Sequence, residues 1–161
     1  MTSPQQVPFD EYLDAVFASP NWLEACVSML AAFLESIDSC RDSPGLSLPQ
    51  IAPPIVDQVS AVADRAQRLE IQLRATAESH GPAFQTSELG AVLWWAGMAS
   101  HKANAAAKGA RDKMARNAWE DAFLEIHALM FETISAISLL SVAEGMLQHM
   151  ENEGTDHVRP N

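Results

Sequence analysis

The chain has 161 residues, with 21 acidic against 10 basic side chains and a formal charge of −11 at neutral pH. That length predicts one domain, 1–161, with a core of its own, and 48% apolar with 19% charged residues is a globular composition. The acidic excess argues against a general nucleic-acid binder, because phosphate contacts need clustered Lys and Arg.

Met1 to Glu11 carry neither a basic nor an apolar stretch, so no secretory signal is expected. The longest uninterrupted apolar run, Leu89 to Ala99, has 11 residues, short of the roughly 20 a bilayer demands. Phe123 to Ala143 is apolar on average but holds Glu125, His127 and Glu132, which points to a buried core helix. Cys26 and Cys40 lie 14 positions apart, about 21 Å along one helix, beyond disulfide reach. Cys26 reads as a small core hydrophobe and Cys40 as a helix-end thiol. The expected compartment is the reducing cytoplasm.

No β alternation bounded by turn residues occurs, whereas helical spacing recurs. Residues 1–8 read as an N-terminal arm. A short helix follows from Asp10, its cap, to about Phe17. Asn21 with Glu24 three positions on resembles a capping box, and Leu23, Cys26, Val27, Leu30, Phe33, Leu34 and Ile37 form one buried stripe ending near Cys40. Residues 41–54 contain four prolines and a glycine and predict a connection, with Pro53 and Pro54 opening the next helix. There Val59, Val62, Ala66, Leu69 and Leu73 make a heptad-like seam, closed by His80-Gly81-Pro82. A fourth helix starts with Thr86 or Ser87 as cap, and places Gly90 and Gly97 on one face. Asn117 to Glu120 read as a fresh cap, opening a last helix from Trp119 to about Met150. Residues 151–161 read as a flexible polar tail. The expected fold is an all-α antiparallel bundle of four to five helices.

Charge is unevenly spread: residues 1–82 net −7, residues 83–118 net +3, and residues 119–161 net −7. The basic island holds Lys102, Lys108, Arg111, Lys113 and Arg116, with His101 beside it. On a helix these side chains scatter round the circumference, as befits a solvated connector or an intramolecular partner for the acidic arms.

Chemistry-bearing constellations are sparse. A di-iron bundle needs Glu-x-x-His pairs on facing helices, and none occurs. Glu125 and His127 point to different faces, while His149 and Glu153 at i, i+4 read as a solvated pair, so neither metal nor cofactor is expected. His127 and Glu132 on an apolar helix define a polar pocket or, more simply, two boundary residues. No nucleophile elbow, phosphate-binding loop or dinucleotide fingerprint is present. Trp94 and Trp95 point about 100° apart on a helix, placing one in the core and the other at its margin, where it is a boundary residue or, alternatively, an anchor for a partner.

Arg74-Ala-Thr-Ala-Glu-Ser-His80 resembles the arginine and histidine spacing of the helical ribonucleases called HEPN domains, over seven residues, with Ala75 where that family places a polar residue. The resemblance implies an all-helical nuclease with Arg74 and His80 as catalytic pair. The reading preferred from the residues is a non-enzymatic acidic interaction protein, inhibitor-, antitoxin- or adaptor-like, that masks a basic protein surface. It is expected to bind neither nucleic acid directly nor membranes, and to use Trp94 or Trp95. A homodimer, or a structural homo-oligomer through the Val59 to Leu73 seam, is the remaining alternative.

Overall fold

The computed structural model describes residues 6–81, 83, 84 and 87–158. Five helices follow in order: α1 (Gln6–Ala18), α2 (Trp22–Asp38), α3 (Pro44–Ser79), α4 (Glu88–Ala115) and α5 (Trp119–Val158). No strand occurs among the described residues. The fold is an all-α bundle in which α3 and α4 pack on α5, and α2 on the same helix further along.

The buried stripe of α2 is Trp22, Cys26, Leu30 and Ile37, with Leu23, Val27, Phe33 and Leu34 packed at its margin. Asn21 is the N-cap of α2, but its side chain makes no capping bond. The expected capping box does not form, and the Asn21 N–H donates to Ser19 Oγ at 3.2 Å instead. In α3, Val59, Val62 and Ala66 are fully buried, with Leu69 and Leu73 packed against the core. The heptad-like seam is therefore packed inside the bundle. Cys26 and Cys40 are both free and buried.

Four boundaries differ from expectation. The arm assigned to residues 1–8 already turns helical at Gln6; Pro8 is the third helical residue, where the N–H it lacks would have no intrahelical partner. Residues 1–5 lie outside the described residues.

The Pro-rich connection of residues 41–54 is helical from Pro44 onward, with Pro49, Pro53 and Pro54 inside α3. Two physical reasons account for it. Leu48, Ala52 and Val56 repeat at four-residue spacing and are fully buried, so tertiary burial overrides propensity. The carbonyls that lose a donor belong to Gly45, Pro49 and Gln50, and the first and last are exposed, within reach of solvent.

Asn117 closes α4 instead of capping α5. Its φ is +58°; the Ala118 N–H donates to the Lys113 carbonyl at 2.9 Å and the Asn117 N–H to the Met114 carbonyl at 3.1 Å. These are the paired bonds of a Schellman motif, whose left-handed position favours Gly or Asn. Helices α4 and α5 are thus separate. Finally, the polar tail from residue 151 continues α5 to Val158. Nothing in Glu151, Asn152 or Glu153 breaks a helix, and Glu153 Oε1 accepts from or pairs with His149 Nε2 one turn back at 3.2 Å. Residues 159–161 lie outside the described residues.

By length and composition α5 could cross a membrane, yet 44% of its apolar stretch is buried inside the bundle. Its inner face, including Ile126, Leu129, Ile137 and Leu140, is fully buried.

Two measurements check this account. An Asn117→Val substitution forces a β-branched residue into the left-handed region and should cost about 1–2 kcal/mol, whereas Asn117→Gly should stay within about 0.5 kcal/mol of the parent, both read by thermal unfolding. Burial raises the Cys26 thiol from its ordinary 9.0 to about 11. The unfolded chain then binds fewer protons than the native one across that window, so stability falls as pH rises from about 9 to about 11, by up to roughly 3 kcal/mol. Denaturant unfolding of Cys26→Ala should lack that share of the pH slope.

Candidate functional site

An open concavity is built where α3 turns into α4. Gly81, at φ +116°, lets the chain leave α3 after the C-cap His80. The restart is fixed by Ser87, whose Oγ accepts from the Gly90 N–H at 3.2 Å and whose hydroxyl donates to the Phe84 carbonyl. Of the two caps expected, Ser87 serves; Thr86 lies outside the described residues. The second of these hydrogen bonds ties the Phe84 carbonyl to the cap, and the Phe84 side chain is buried.

The wall opposite is α3. Both Nε, at 2.9 Å, and Nη2 of Arg74 donate to Glu70 Oε1, and Glu70 is nearly buried. Room for that carboxylate comes from Gly97 on α4: a Cβ there would lie 3.3 Å from Glu70 Oε1, so the glycine face serves a charge pair as well as helix approach. Arg74, Phe84, Ser87, Gly90, Ala91, Trp94 and Trp95 line an open groove of about 470 Å³.

Both tryptophans face outward, Trp94 being 53% and Trp95 56% exposed. The expectation that one of them enters the core is corrected. Leu93 and Ala96, on either side, take the inward positions and are fully buried, so the intervening pair straddles the outer face. Their rings meet edge to face, with centroids 4.8 Å apart and an interplanar angle of 81°.

Arg74 and His80 do not share this groove. His80 lines a neighbouring cavity of about 370 Å³ with Leu89, Met146 and Met150, and its Nε2 lies 3.8 Å from Glu151 Oε1. The two cavities have Phe84 and Ser87 as a common wall. Within the basic island, Arg111 reaches back to α3, 3.3 Å from Asp57 Oδ1 and 3.1 Å from Ser60 Oγ. Arg116 pairs with Asp112 at 3.4 Å. Lys102 and Lys108 are exposed and Lys113 is half-buried.

Two arrangements were not visible in the sequence. His127 is a bridge between helices, with Nδ1 2.8 Å from the Phe123 carbonyl and Nε2 2.6 Å from Asp38 Oδ1 on α2. Glu125 lies flat on Gly109, where a Cβ would stand 2.9 Å from its Cδ. Nothing in residue spacing links positions so far apart. His149 and Glu153 form an exposed pair, and no group of three or more His, Cys, Asp or Glu side chains converges among the described residues.

No protein-family model, curated protein or solved structure matches the chain.

The exposure of the pair has a direct optical consequence. Trp22 is 3% exposed and Trp119 is half-buried, so acrylamide should quench mainly Trp94 and Trp95. The Trp94→Phe/Trp95→Phe variant should lose most of the quenchable emission while keeping the parent's helical circular dichroism.

Proposed function

We propose that the protein is a non-enzymatic, acidic interaction protein, an inhibitor or adaptor that docks on a basic protein partner through the Trp94–Trp95 groove and masks that surface. The observation that carries this reading is the pair of half-exposed indoles over an open groove. Tryptophan is enriched among the residues that dominate binding energy. The edge-to-face contact of the two rings lowers the ordering cost of binding, because each ring restricts the other before a partner arrives.

Charge supports the choice of partner. A net −11 steers encounters with a basic surface and disfavours acidic ones. Arg74 would oppose this if it were bare, but Glu70 neutralises it. An incoming Lys or Arg can then stack on an indole face, a contact worth about 0.5–1 kcal/mol at an exposed site and more when desolvated. The ribonuclease alternative on Arg74 and His80 has less support, since Arg74 is committed to Glu70 and His80 lines the adjoining cavity.

Affinity capture with the full chain as bait, in parallel with the Trp94→Ala/Trp95→Ala variant, tests the reading. A basic protein retained by the parent should bind the variant at least about 10-fold more weakly, and its retention should fall as salt rises from about 50 to about 300 mM. Equal retention by both baits, or capture that is indifferent to salt, would remove this groove and this partner class from consideration.

A further inference from the structure

The outward face of α5 is unlike an ordinary solvated helix surface. Leu124 is 67%, Phe131 69% and Val142 53% exposed, and all three fall within about 20° of one line along the helix. Ala128, Ser135, Ser138 and Gly145 fill the intervening positions, so the spacing alternates four and three from Leu124 to Gly145, the pattern of a helix–helix seam. This strip is about 32 Å long and contains no Asp, Glu, Lys or Arg. The helices that pack on α5 cover its opposite side, where Leu129, Thr133 and Ile137 are fully buried.

We propose that this strip is a homodimer interface, occupied by α5 of a second copy running antiparallel about a two-fold axis near Ser135. The sizes match in that register. Leu124 of one copy then lies against Gly145 of the other, Val142 against Ala128, and Phe131 against Ser138, with Ser135 meeting its own copy at the axis. Each large side chain has a small one opposite, as knobs need holes. A parallel pairing sets Phe131 against Phe131 and Gly145 against Gly145, which leaves bulges and voids. It also stacks Glu120 and Asp121 on their own copies, whereas the antiparallel pairing places Asp121 opposite His149.

The area is sufficient and no more than sufficient. A strip one helix wide and about 32 Å long, covered from both sides, removes on the order of 1,000 Å² in total, the lower bound for specific association. The dimer is therefore expected in the micromolar range. Because two chains of −11 repel while the strip itself is uncharged, association should strengthen with salt, opposite to the behaviour of a basic partner at the Trp94–Trp95 groove. The two surfaces are independent, and either stands if the other fails.

Sedimentation of the full chain between about 1 and about 100 μM should show a monomer–dimer equilibrium that tightens as salt is raised. Phe131→Glu should weaken it at least about 30-fold with circular dichroism unchanged, while Ile71→Glu, an equally exposed apolar position on α3 (58%), should leave it as it is. Under oxidation Ser135→Cys should form a covalent dimer, since Cys26 and Cys40 are buried and do not compete. A parent that stays monomeric at about 100 μM, a dimer untouched by Phe131→Glu, or an uncrosslinked Ser135→Cys would each overturn the proposal. So would a monomer that floats with phosphatidylcholine vesicles and loses that property in Phe131→Glu, which would assign the strip to a lipid surface.

Discussion

The close approach of α4 to α5 is the constraint on which the rest of the molecule depends. Beyond Leu93 the inner face of α4 is made of small residues: Ala96, Ala99, Ser100, Ala103, Ala106, Ala107 and Ala110 are buried. Short side chains let the two axes come near and cost little entropy when ordered. The bulk of the core is supplied from the other side, by Ile126, Leu129, Met130 and Ile137 of α5. With Leu93 and Ala96 turned inward, α4 carries its two tryptophans outward, and α5, covered from one side, keeps Phe131 and Leu124 exposed. Both apolar surfaces of the molecule follow from one tightly packed helix pair.

The same economy governs charge. Arg65 on α3 reaches Asp14 on α1 at 2.9 Å and lies over the Phe17 ring at 5.6 Å. Arg74 serves Glu70, and Arg111 ties α4 to Asp57 on α3. Each such pair contributes little stability where it is exposed. Their collective effect is to direct scarce basic side chains to internal partners, leaving an outward field set by the acids. At the groove, the one arginine that lines the wall is held by Glu70.

Much of this was legible in the residues, for identifiable reasons. The stripe from Cys26 to Ile37, the Gly81 stop and the Ser87 cap each combine a periodic pattern with a residue whose chemistry fits one position only. The prolines of α3 misled because propensity is a local quantity, whereas Leu48, Ala52 and Val56 owe their helix to a core built by distant elements. Asn117 misled differently: asparagine suits both the start of a helix and the left-handed residue after one, and only the bond from the Ala118 N–H to Lys113 decides between them. At the groove, the adjacency of Trp94 and Trp95 was plain, but their common exposure was not, because period alone does not say which arc of a helix its neighbours cover. The His127–Asp38 bridge and the Glu125–Gly109 contact arise from tertiary proximity and leave no trace in spacing.

The turn at Asn117 also sets the order in which such a chain can organise. Only residues 116–118 separate α4 from α5, and these two helices make the most extensive contact in the bundle. The most extensive helix contact is therefore reached by closing a three-residue loop, and a topology dominated by contacts between sequence neighbours folds quickly. α1 stands at the other extreme, packing, among the described residues, on α2 and α3 alone. In the native state it is the helix with the least packing to lose, so local opening should cost least there while the α4–α5 hairpin keeps the core closed.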